Sequence, residues 1–391
     1  MTAIHGMTAP GFEAVLDAFR ENFERRGETG ASFCAYADGR LVVDLWGGEA
    51  RPGVDWERDT VAPVFSSSKG VTALTIQALA DRGDLDVSRP VSSYWPEFAA
   101  AGKGDITVRH VLTHSSGVID FPGYRRVIDD LAWWQDPDRI AADFAAAGPA
   151  WEPGSAHGYH GVSFGLILGE VVRRATATTL GGAFRQLVGD PLGLDVWIGL
   201  PDEHASRVAV LRDAPPVSDP LTAAYLSLFT QDTLTARAHF CDERGIGSLA
   251  ETFNDPAFWR VEFPSGGAIA SARGLAGMYR VLAAGGAHNG TRIVSEASID
   301  RWSAEAVRGP DLVLMLETSF GLGYQLPTPF IALAPAAEAF GHGGLGGSVG
   351  FADPKRNLAA AYVMNQLRFP STTETTRAQA LTEALYRAAE G

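Results

Sequence analysis

Ser66 and Lys69 form the first candidate catalytic pair of the chain. They lie in residues 64–70 (VFSSSKG), where a helical pattern begins, and residues three apart share one face of a helix. A serine hydroxyl needs a neighbouring base to act as a nucleophile, and an amine shielded from water has its pKa lowered enough to accept that proton. A serine-rich helix cap followed by a surface lysine fits the spacing equally well. Only three of the 32 basic residues are lysines, however, and this scarcity favours chemistry.

Tyr159 is the second candidate. It lies in residues 151–161, a loop rich in proline and glycine that leads into a helical segment. A phenol at the start of a helix can reach Ser66 and Lys69 and relay a proton between them. The alternative is a tyrosine that packs at the helix start and bonds to a backbone group.

The third candidate is a glycine-dense turn that enters a strand. In it, His342, Gly343 and Gly344 stand together, and glycine at this density lets backbone N–H groups approach a ligand closely. We expect the amides of Ser66 and Leu345 to form an oxyanion hole, and the three residues 342–344 to contact substrate. The alternative for His342 is a polar cap on a hairpin.

A second serine motif competes with Ser66. Residues 346–350 (GGSVG) match Gly-x-Ser-x-Gly, the nucleophile elbow of another hydrolase fold, in which a histidine follows the serine along the chain. The last histidine of this chain is His342, so none follows Ser348. The elbow also requires a strand that turns into a helix, whereas a strand pattern follows here. We therefore set Ser348 aside.

Four further histidines have no assigned role. His110 and His114 have the i, i+4 spacing of metal ligands, but no glutamate stands between them and no third ligand is evident, so we expect structural roles. His157 and His160 flank the tyrosine of the second motif, and we interpret them as solvated loop histidines. We predict neither a metal nor a cofactor.

Three aromatic side chains in the helical part of the chain are candidates for a substrate pocket. Tyr124, Trp133 and Trp134 follow the loop at Ser116-Gly117 and could line a site for an acyl or alcohol group. Ordinary core packing explains any single one of them better.

The hydrophobic pattern predicts an α+β fold. An antiparallel sheet built from both ends of the chain is flanked by helices and carries an inserted, mainly helical subdomain. We assign residues 1–65 and 255–391 to the sheet subdomain and 66–254 to the helical one, within a single catalytic unit, 1–391. Around an Asp-Gly turn, residues 31–37 and 40–46 predict a hairpin. Further predicted strands lie near 266–271, 321–325, 348–352 and 358–364, and predicted helices near 12–23, 66–82, 162–175, 180–188 and 377–389.

Composition limits the class of partner. The 391 residues carry a formal net charge of −14, which argues against nucleic acid or anionic lipid as a ligand. No run reaches the roughly 18–20 apolar residues of a membrane span, and no export signal is visible at the start. Cys34 and Cys241 are too few for a disulfide framework. We expect a cytoplasmic protein with a small-molecule substrate; its oligomeric state is not predicted.

Taken together, the motifs resemble a known superfamily along nearly the whole chain. They are FSSSK at 65–69, ITVRHVLTHSSG at 106–117, WEPG at 151–154 before Tyr159, PSGG at 264–267, FGLGY at 320–324, GHGG at 341–344 and FADP at 351–354. The chain resembles the serine β-lactamase-like superfamily, and within it the branch of class C β-lactamases, D-aminopeptidases and family VIII carboxylesterases. The resemblance implies Ser66 as the acyl-forming nucleophile, Lys69 as its base partner and Tyr159 as the catalytic tyrosine.

Two departures from the family pattern bear on substrate. Lactam-cleaving members usually end the second motif in asparagine and begin the third with Lys-Thr-Gly; here the motifs read Tyr159-His160-Gly161 and His342-Gly343-Gly344. The lysine and threonine of that third motif would bind the carboxylate of a lactam. Without their charge-assisted hydrogen bonds, of about 1.5–3 kcal/mol each, the binding of anionic lactams is weakened most. The sequence therefore favours a carboxylesterase acting on small esters. The alternatives are an amidase or D-peptidase, a transacylase, a weak β-lactamase, or a lactamase-like binding protein without turnover.

Overall fold

The computed structural model describes residues 2–246, 249–369 and 375–390. The strands are β1 (Ile4–Thr8), β2 (Gly30–Ala37), β3 (Arg40–Arg51), β4 (Val54–Asp55), β5 (Ala62–Pro63), β6 (Val196–Ile198), β7 (Ala268–Ala270), β8 (Ala287–His288), β9 (Thr291–Arg292), β10 (Val307–Pro310), β11 (Glu317–Phe320), β12 (Gln325–Leu326), β13 (Phe340–Gly343), β14 (Val349–Asp353) and β15 (Leu358–Met364). The α-helices are α1 (Glu13–Arg25), α2 (Ser68–Arg82), α3 (Val108–Leu112), α4 (Leu131–Trp134), α5 (Pro137–Ala146), α6 (Ser163–Thr176), α7 (Leu180–Phe184), α8 (Asp190–Leu192), α9 (Pro220–Ser227), α10 (Leu234–Ala238), α11 (Leu249–Phe253), α12 (Pro256–Trp259), α13 (Ala272–Ala283), α14 (Glu296–Ser303) and α15 (Arg377–Glu390).

The main sheet has ten strands and draws them from both ends of the chain. Its order is β1-β3-β2-β15-β14-β13-β12-β11-β10, with β4 added beside β3. All of its pairs are antiparallel, and β2 joins the two halves by pairing with β15, from Ala37 opposite Leu358 to Ala31 opposite Met364. This arrangement confirms the predicted α+β class with an antiparallel sheet.

Two of the predicted strands differ in the structure. The strand near 266–271 is β7, which lies in a separate three-stranded sheet of order β5-β7-β6. Residues 321–325 were predicted as a strand, and this is wrong for all but the last of them, because the chain turns there between β11 and β12. Gly323 has φ of +80° in this turn, and a Cβ at that position would lie 2.8 Å from the Cβ of Ala73 in α2. The glycines therefore serve a turn that packs closely on α2.

Helices cover the main sheet on both faces. Gly350 and Phe351 are neighbours on β14 and so point to opposite faces. On one face a Cβ at Gly350 would lie 2.5 Å from the ring of Tyr279 in α13, and on the other Phe351 stacks near Tyr386 of α15 at 6.2 Å between ring centroids. Burial from both sides explains why β15 reads as the continuous apolar run LAAAYVM, buried throughout.

The helical part of the chain lies between β5 and β7 in sequence and includes α2 and α6. Helix α2 begins directly after β5, and nearly all of its residues are buried. It ends at Gly83, whose φ of +82° is the left-handed conformation that commonly closes a helix. In the part of the chain that the structure describes, the helices are too short or too polar to cross a lipid bilayer.

Candidate active site

Ser66 lies in a strained turn at the start of α2. The 3₁₀ turn Phe65–Ser67 connects β5 to the helix, and Phe65 adopts φ of +47°, a conformation that non-glycine residues rarely accept. The ring of Phe65 is buried and packs 4.6 Å from that of Phe253. Ser67 Oγ donates to the carbonyl of His342 at 3.2 Å, which holds the turn against β13. Backbone strain of this kind often marks a functional site.

The Lys69 amine is fully buried within hydrogen-bonding reach of Ser66. Its Nζ lies 3.5 Å from Ser66 Oγ and donates to two backbone carbonyls, those of Gly161 at 2.8 Å and Ser265 at 3.0 Å. Within the described residues it forms no ion pair with a carboxylate. Burial therefore lowers the pKa of Lys69 well below its ordinary value. An uncharged amine has two hydrogens for the two carbonyls and one lone pair left for Ser66.

The phenol of Tyr159 completes this group. Tyr159 is buried with its phenol beside Ser66, and burial raises the pKa of the phenol strongly. Its ring centroid lies 4.6 Å from Lys69 Nζ. The structure thus brings together the hydroxyl, amine and phenol that the sequence analysis singled out.

A second wall of the site comes from the turn after β13. Gly344 packs so closely on the Ser66 turn that a Cβ there would lie 2.2 Å from the carbonyl oxygen of Val64. Ser348 is buried, and its Oγ donates to that same carbonyl at 2.7 Å, so this serine joins the two turns. The N–H groups of Ser66 and Leu345 have no hydrogen-bond acceptor among the described residues, and both residues line one cleft.

His342 is uncharged and accepts hydrogen bonds through one nitrogen. Its Nδ1 lies 2.7 Å from the carbonyl oxygen of Gly343, so Nδ1 carries the proton. Its Nε2 is buried and has no partner in the described part of the chain. Burial, together with the nearby Lys69, lowers the pKa of His342 to about 3. A substrate at this wall therefore meets an uncharged imidazole and the glycine backbone instead of a cation.

The histidines without an assigned role connect backbone segments near the site. His110 closes a capping box at the start of α3, with Thr107 N–H donating to its Nδ1 at 3.2 Å. The Nδ1 of His114 accepts the N–H of His160 at 3.0 Å. His160 Nε2 in turn lies 2.7 Å from the hydroxyl of Ser116. These contacts fasten the tyrosine loop to the loop after α3. His157 and His160 are both buried, so the prediction that they are solvated is wrong.

The site opens into a cleft of about 1530 Å³ with mostly apolar walls. Of the three aromatic residues predicted for the pocket, Trp134 lines the cleft. Among the residues that the structure describes, Tyr124 and Trp133 do not line it. Those two pack behind the wall, where the rings of Tyr124 and Trp133 lie 5.4 Å and 6.4 Å from that of Phe240. The apolar lining also includes residues that the sequence analysis did not single out: Leu221, Phe258, Phe263, Leu314, Phe330 and Leu333.

Two residues near Tyr159 were missed from the sequence. His239 lines the cleft, and its ring lies 5.8 Å from the Tyr159 ring. Asp311 accepts the backbone N–H of Tyr159 at 3.0 Å. Neither stands in a recognisable motif, and both are far from Tyr159 in sequence, so only the folded chain identifies them.

A buried serine–lysine–tyrosine group between a mainly helical region and an antiparallel sheet defines a serine hydrolase of the β-lactamase type. The chain belongs to the Beta-lactamase family, whose match extends over residues 15–384. It is 33% identical to the "Esterase/beta-lactamase LipL" of Mycobacterium tuberculosis over an alignment of 376 residues, and this alignment covers 94% of this chain and 84% of that protein.

Solved structures extend the comparison to the whole fold. A penicillin-binding protein homologue from Caulobacter crescentus is 39% identical with a TM-score of 0.86, covering 99% of this chain and 100% of that one. A family VIII carboxylesterase is 37% identical with a TM-score of 0.86 at the same coverage. These relatives confirm the resemblance that the motifs indicated.

Proposed function

We propose that the protein hydrolyses small, uncharged carboxylic esters through an acyl-enzyme on Ser66. The observation that carries the proposal is the buried Lys69 amine, 3.5 Å from Ser66 Oγ, whose other hydrogen bonds within the described residues go to two carbonyl oxygens. Such an amine is poised as a base at neutral pH. The names of an esterase/beta-lactamase and a family VIII carboxylesterase among the relatives support ester hydrolysis.

In the acylation step, Ser66 Oγ attacks the ester carbonyl while its proton passes to the lone pair of Lys69. The carbonyl oxygen becomes an anion, for which the free N–H groups of Ser66 and Leu345 are the available donors. When the intermediate collapses, the bond to the alcohol oxygen breaks. Tyr159 gives its proton to the leaving alkoxide, and the neighbouring Lys69 ammonium returns a proton to the phenolate.

In the deacylation step, a water molecule attacks the acyl carbonyl. One proton of the water passes through Tyr159 to Lys69, and the bond between the carbonyl carbon and Ser66 Oγ breaks. Lys69 then returns the proton to Ser66, so the cycle releases an alcohol and a carboxylic acid and leaves every side chain unchanged.

The preference for neutral esters is supported by the wall at His342. The uncharged imidazole of His342 and the backbone of Gly343 and Gly344 give a carboxylate no cationic partner at this wall. The carboxylate of an anionic β-lactam placed here would lose its hydrogen bonds to water with no charged group at the wall to replace them, which costs more than the transfer of a neutral ester. The apolar cleft wall, which includes Trp134, suits an uncharged acyl or alcohol group.

The test compares Ser66→Ala with Ser348→Ala, because the sequence offers both serines in nucleophile motifs. We expect Ser66→Ala to abolish hydrolysis of p-nitrophenyl butyrate and labelling by a fluorophosphonate, and Ser348→Ala to keep the label. Peptide mapping of the labelled protein then identifies the reactive serine. Near wild-type turnover by Ser66→Ala would refute the proposal.

Substrate class is tested by matched assays on the wild-type protein. We expect turnover to decrease from p-nitrophenyl butyrate to the corresponding anilide and to the anionic lactam nitrocefin. Faster hydrolysis of a D-amino-acid amide would assign an amidase or D-peptidase instead. Labelling without turnover of any ester would assign a binding protein.

A further inference from the structure

Asp311 is a buried carboxylate at the back of the catalytic group. It lies in the turn between β10 and β11 and is 2% exposed. Its Oδ1 accepts three backbone N–H groups, from Tyr159 at 3.0 Å and from Val313 and Leu314, both at 2.8 Å. One oxygen thus joins the tyrosine loop to the turn that contributes Leu314 to the cleft wall.

The second oxygen of Asp311 fastens the same loop by another route. Thr318 Oγ1 donates to Oδ2 at 3.0 Å. Because that hydroxyl proton is engaged, Thr318 Oγ1 accepts from the Nε2 of His157, 2.9 Å away. The N–H of Leu312 donates to the carbonyl of His157 at 3.1 Å. The loop is therefore held at two points, His157 and Tyr159, which are the residues on either side of Gly158.

The four donors require a carboxylate. Within the described residues Asp311 forms no ion pair, so its charge is balanced by hydrogen bonds alone, which a buried carboxylate needs. An asparagine in the same position would present two N–H hydrogens where one oxygen now accepts, and would lose either the three backbone contacts or the Thr318 contact. The negative charge also adds to burial in raising the pKa of the Tyr159 phenol.

We propose that Asp311 is a positioning residue for the reaction on Ser66: its carboxylate fixes the backbone of Tyr159 and thereby holds the phenol against the Ser66 hydroxyl. The inference rests on the proposed function, because it acts through the part that Tyr159 plays there. Asp311 itself contacts neither substrate nor the reacting atoms.

The first measurement is steady-state hydrolysis of p-nitrophenyl butyrate by Asp311→Asn. A displacement of about 1 Å at a catalytic group can cost roughly 10²-fold in rate. We expect kcat to fall by about 10-fold to 10²-fold and KM to change less, since Leu314 is, among the described residues, the one apolar residue of the cleft wall that Asp311 holds directly. Asp353→Asn is the matched control. Asp353 is also a fully buried, hydrogen-bonded aspartate, but it pairs with Arg356 and Tyr386 at the far end of β14, and we expect its kcat to stay at the wild-type value.

A double-mutant cycle separates positioning from a general loss of structure. If Asp311 acts through the phenol, Asp311→Asn has little further effect on kcat in a Tyr159→Phe background. An equal fold-loss in both backgrounds, or wild-type kcat for Asp311→Asn alone, would overturn the inference. Should Asp311→Asn fail to fold, Thr318→Val removes one donor with a side chain of similar shape, and the same criterion applies to it.

The cycle also distinguishes this inference from the function on which it rests. Wild-type activity of Tyr159→Phe would remove the phenol from the mechanism and overturn the positioning role, whereas the acyl-enzyme on Ser66 would still be decided by Ser66→Ala. A strong loss in Tyr159→Phe together with independent effects of Asp311→Asn would leave the proposed function standing and reject the positioning role alone.

Discussion

Replacing Lys69 with methionine tests whether the buried amine is uncharged in the folded protein. Burial lowers the pKa of Lys69 well below its ordinary value of 10.5, whereas the unfolded chain exposes the amine to water. Between the two pKa values the unfolded state binds one proton more than the folded state. For this one group, the free energy of unfolding therefore rises with pH by about 1.4 kcal/mol per pH unit. Methionine has a similar length and no titrating group.

The quantity to measure is the difference in the free energy of unfolding between the wild-type protein and Lys69→Met. We expect this difference to increase from pH 7 to pH 9, in favour of the wild type, with a slope that approaches about 1.4 kcal/mol per pH unit where the folded amine is uncharged. Urea unfolding at pH 7, 8 and 9, followed by the fluorescence of the nine tryptophans, supplies it. Lys355→Met is the control, because that side chain is 66% exposed.

A difference that stays constant with pH would show that Lys69 keeps its proton in the folded state. The neutral-base mechanism would then be refuted, whatever the activity of the variant. In the same samples we expect Lys69→Met to lose about 10²-fold to 10⁴-fold in kcat/KM, the contribution of a general base.

Three further predictions concern the same site. Ester hydrolysis is expected to fall as the pH drops through the lowered pKa of Lys69, because the ammonium cannot accept the Ser66 proton; a pH–rate profile without this acid limb would contradict it. Tyr159→Phe is expected to lower kcat by about 10²-fold, and a loss of only a few-fold would exclude the phenol as a shuttle. Ser348→Ala is expected to unfold about 0.5–1.5 kcal/mol more easily, since the Val64 carbonyl keeps the Ser67 N–H as a donor but loses the Ser348 hydroxyl; unchanged urea midpoints would argue against this contact.

Local patterns in the sequence predicted much of the structure. The Asp38-Gly39 turn between β2 and β3 has φ of +49° and +70°, as expected for a two-residue hairpin turn. Ser66 and Lys69 were identifiable because a spacing of three residues is a contact on a helix. Tyr159, the third group, was identified by its place before a helix and by the family resemblance, since no local pattern specifies its distance from Ser66.

Features that depend on the three-dimensional fold alone could not be predicted from the sequence. Asp311 reaches Tyr159 across roughly 150 residues of chain, and a single aspartate in a turn is indistinguishable from a solvated one. Trp133 and Trp134 are adjacent tryptophans, so the sequence gives no reason to choose between them. Of these two, only Trp134 lines the cleft, because consecutive helical residues point in different directions. Residues 321–325 looked like a strand because their apolar residues alternate with glycine.

The pairing of β2 with β15 has a consequence for synthesis of the protein. Roughly 320 residues separate the partners, so at 5–20 residues per second a ribosome needs on the order of 20–60 s to supply the second strand after the first. Throughout that interval the emerging β2–β3 hairpin presents an unpaired apolar edge to other nascent chains. Yield during expression is therefore expected to depend on temperature and on chaperones more than the stability of the finished molecule would suggest.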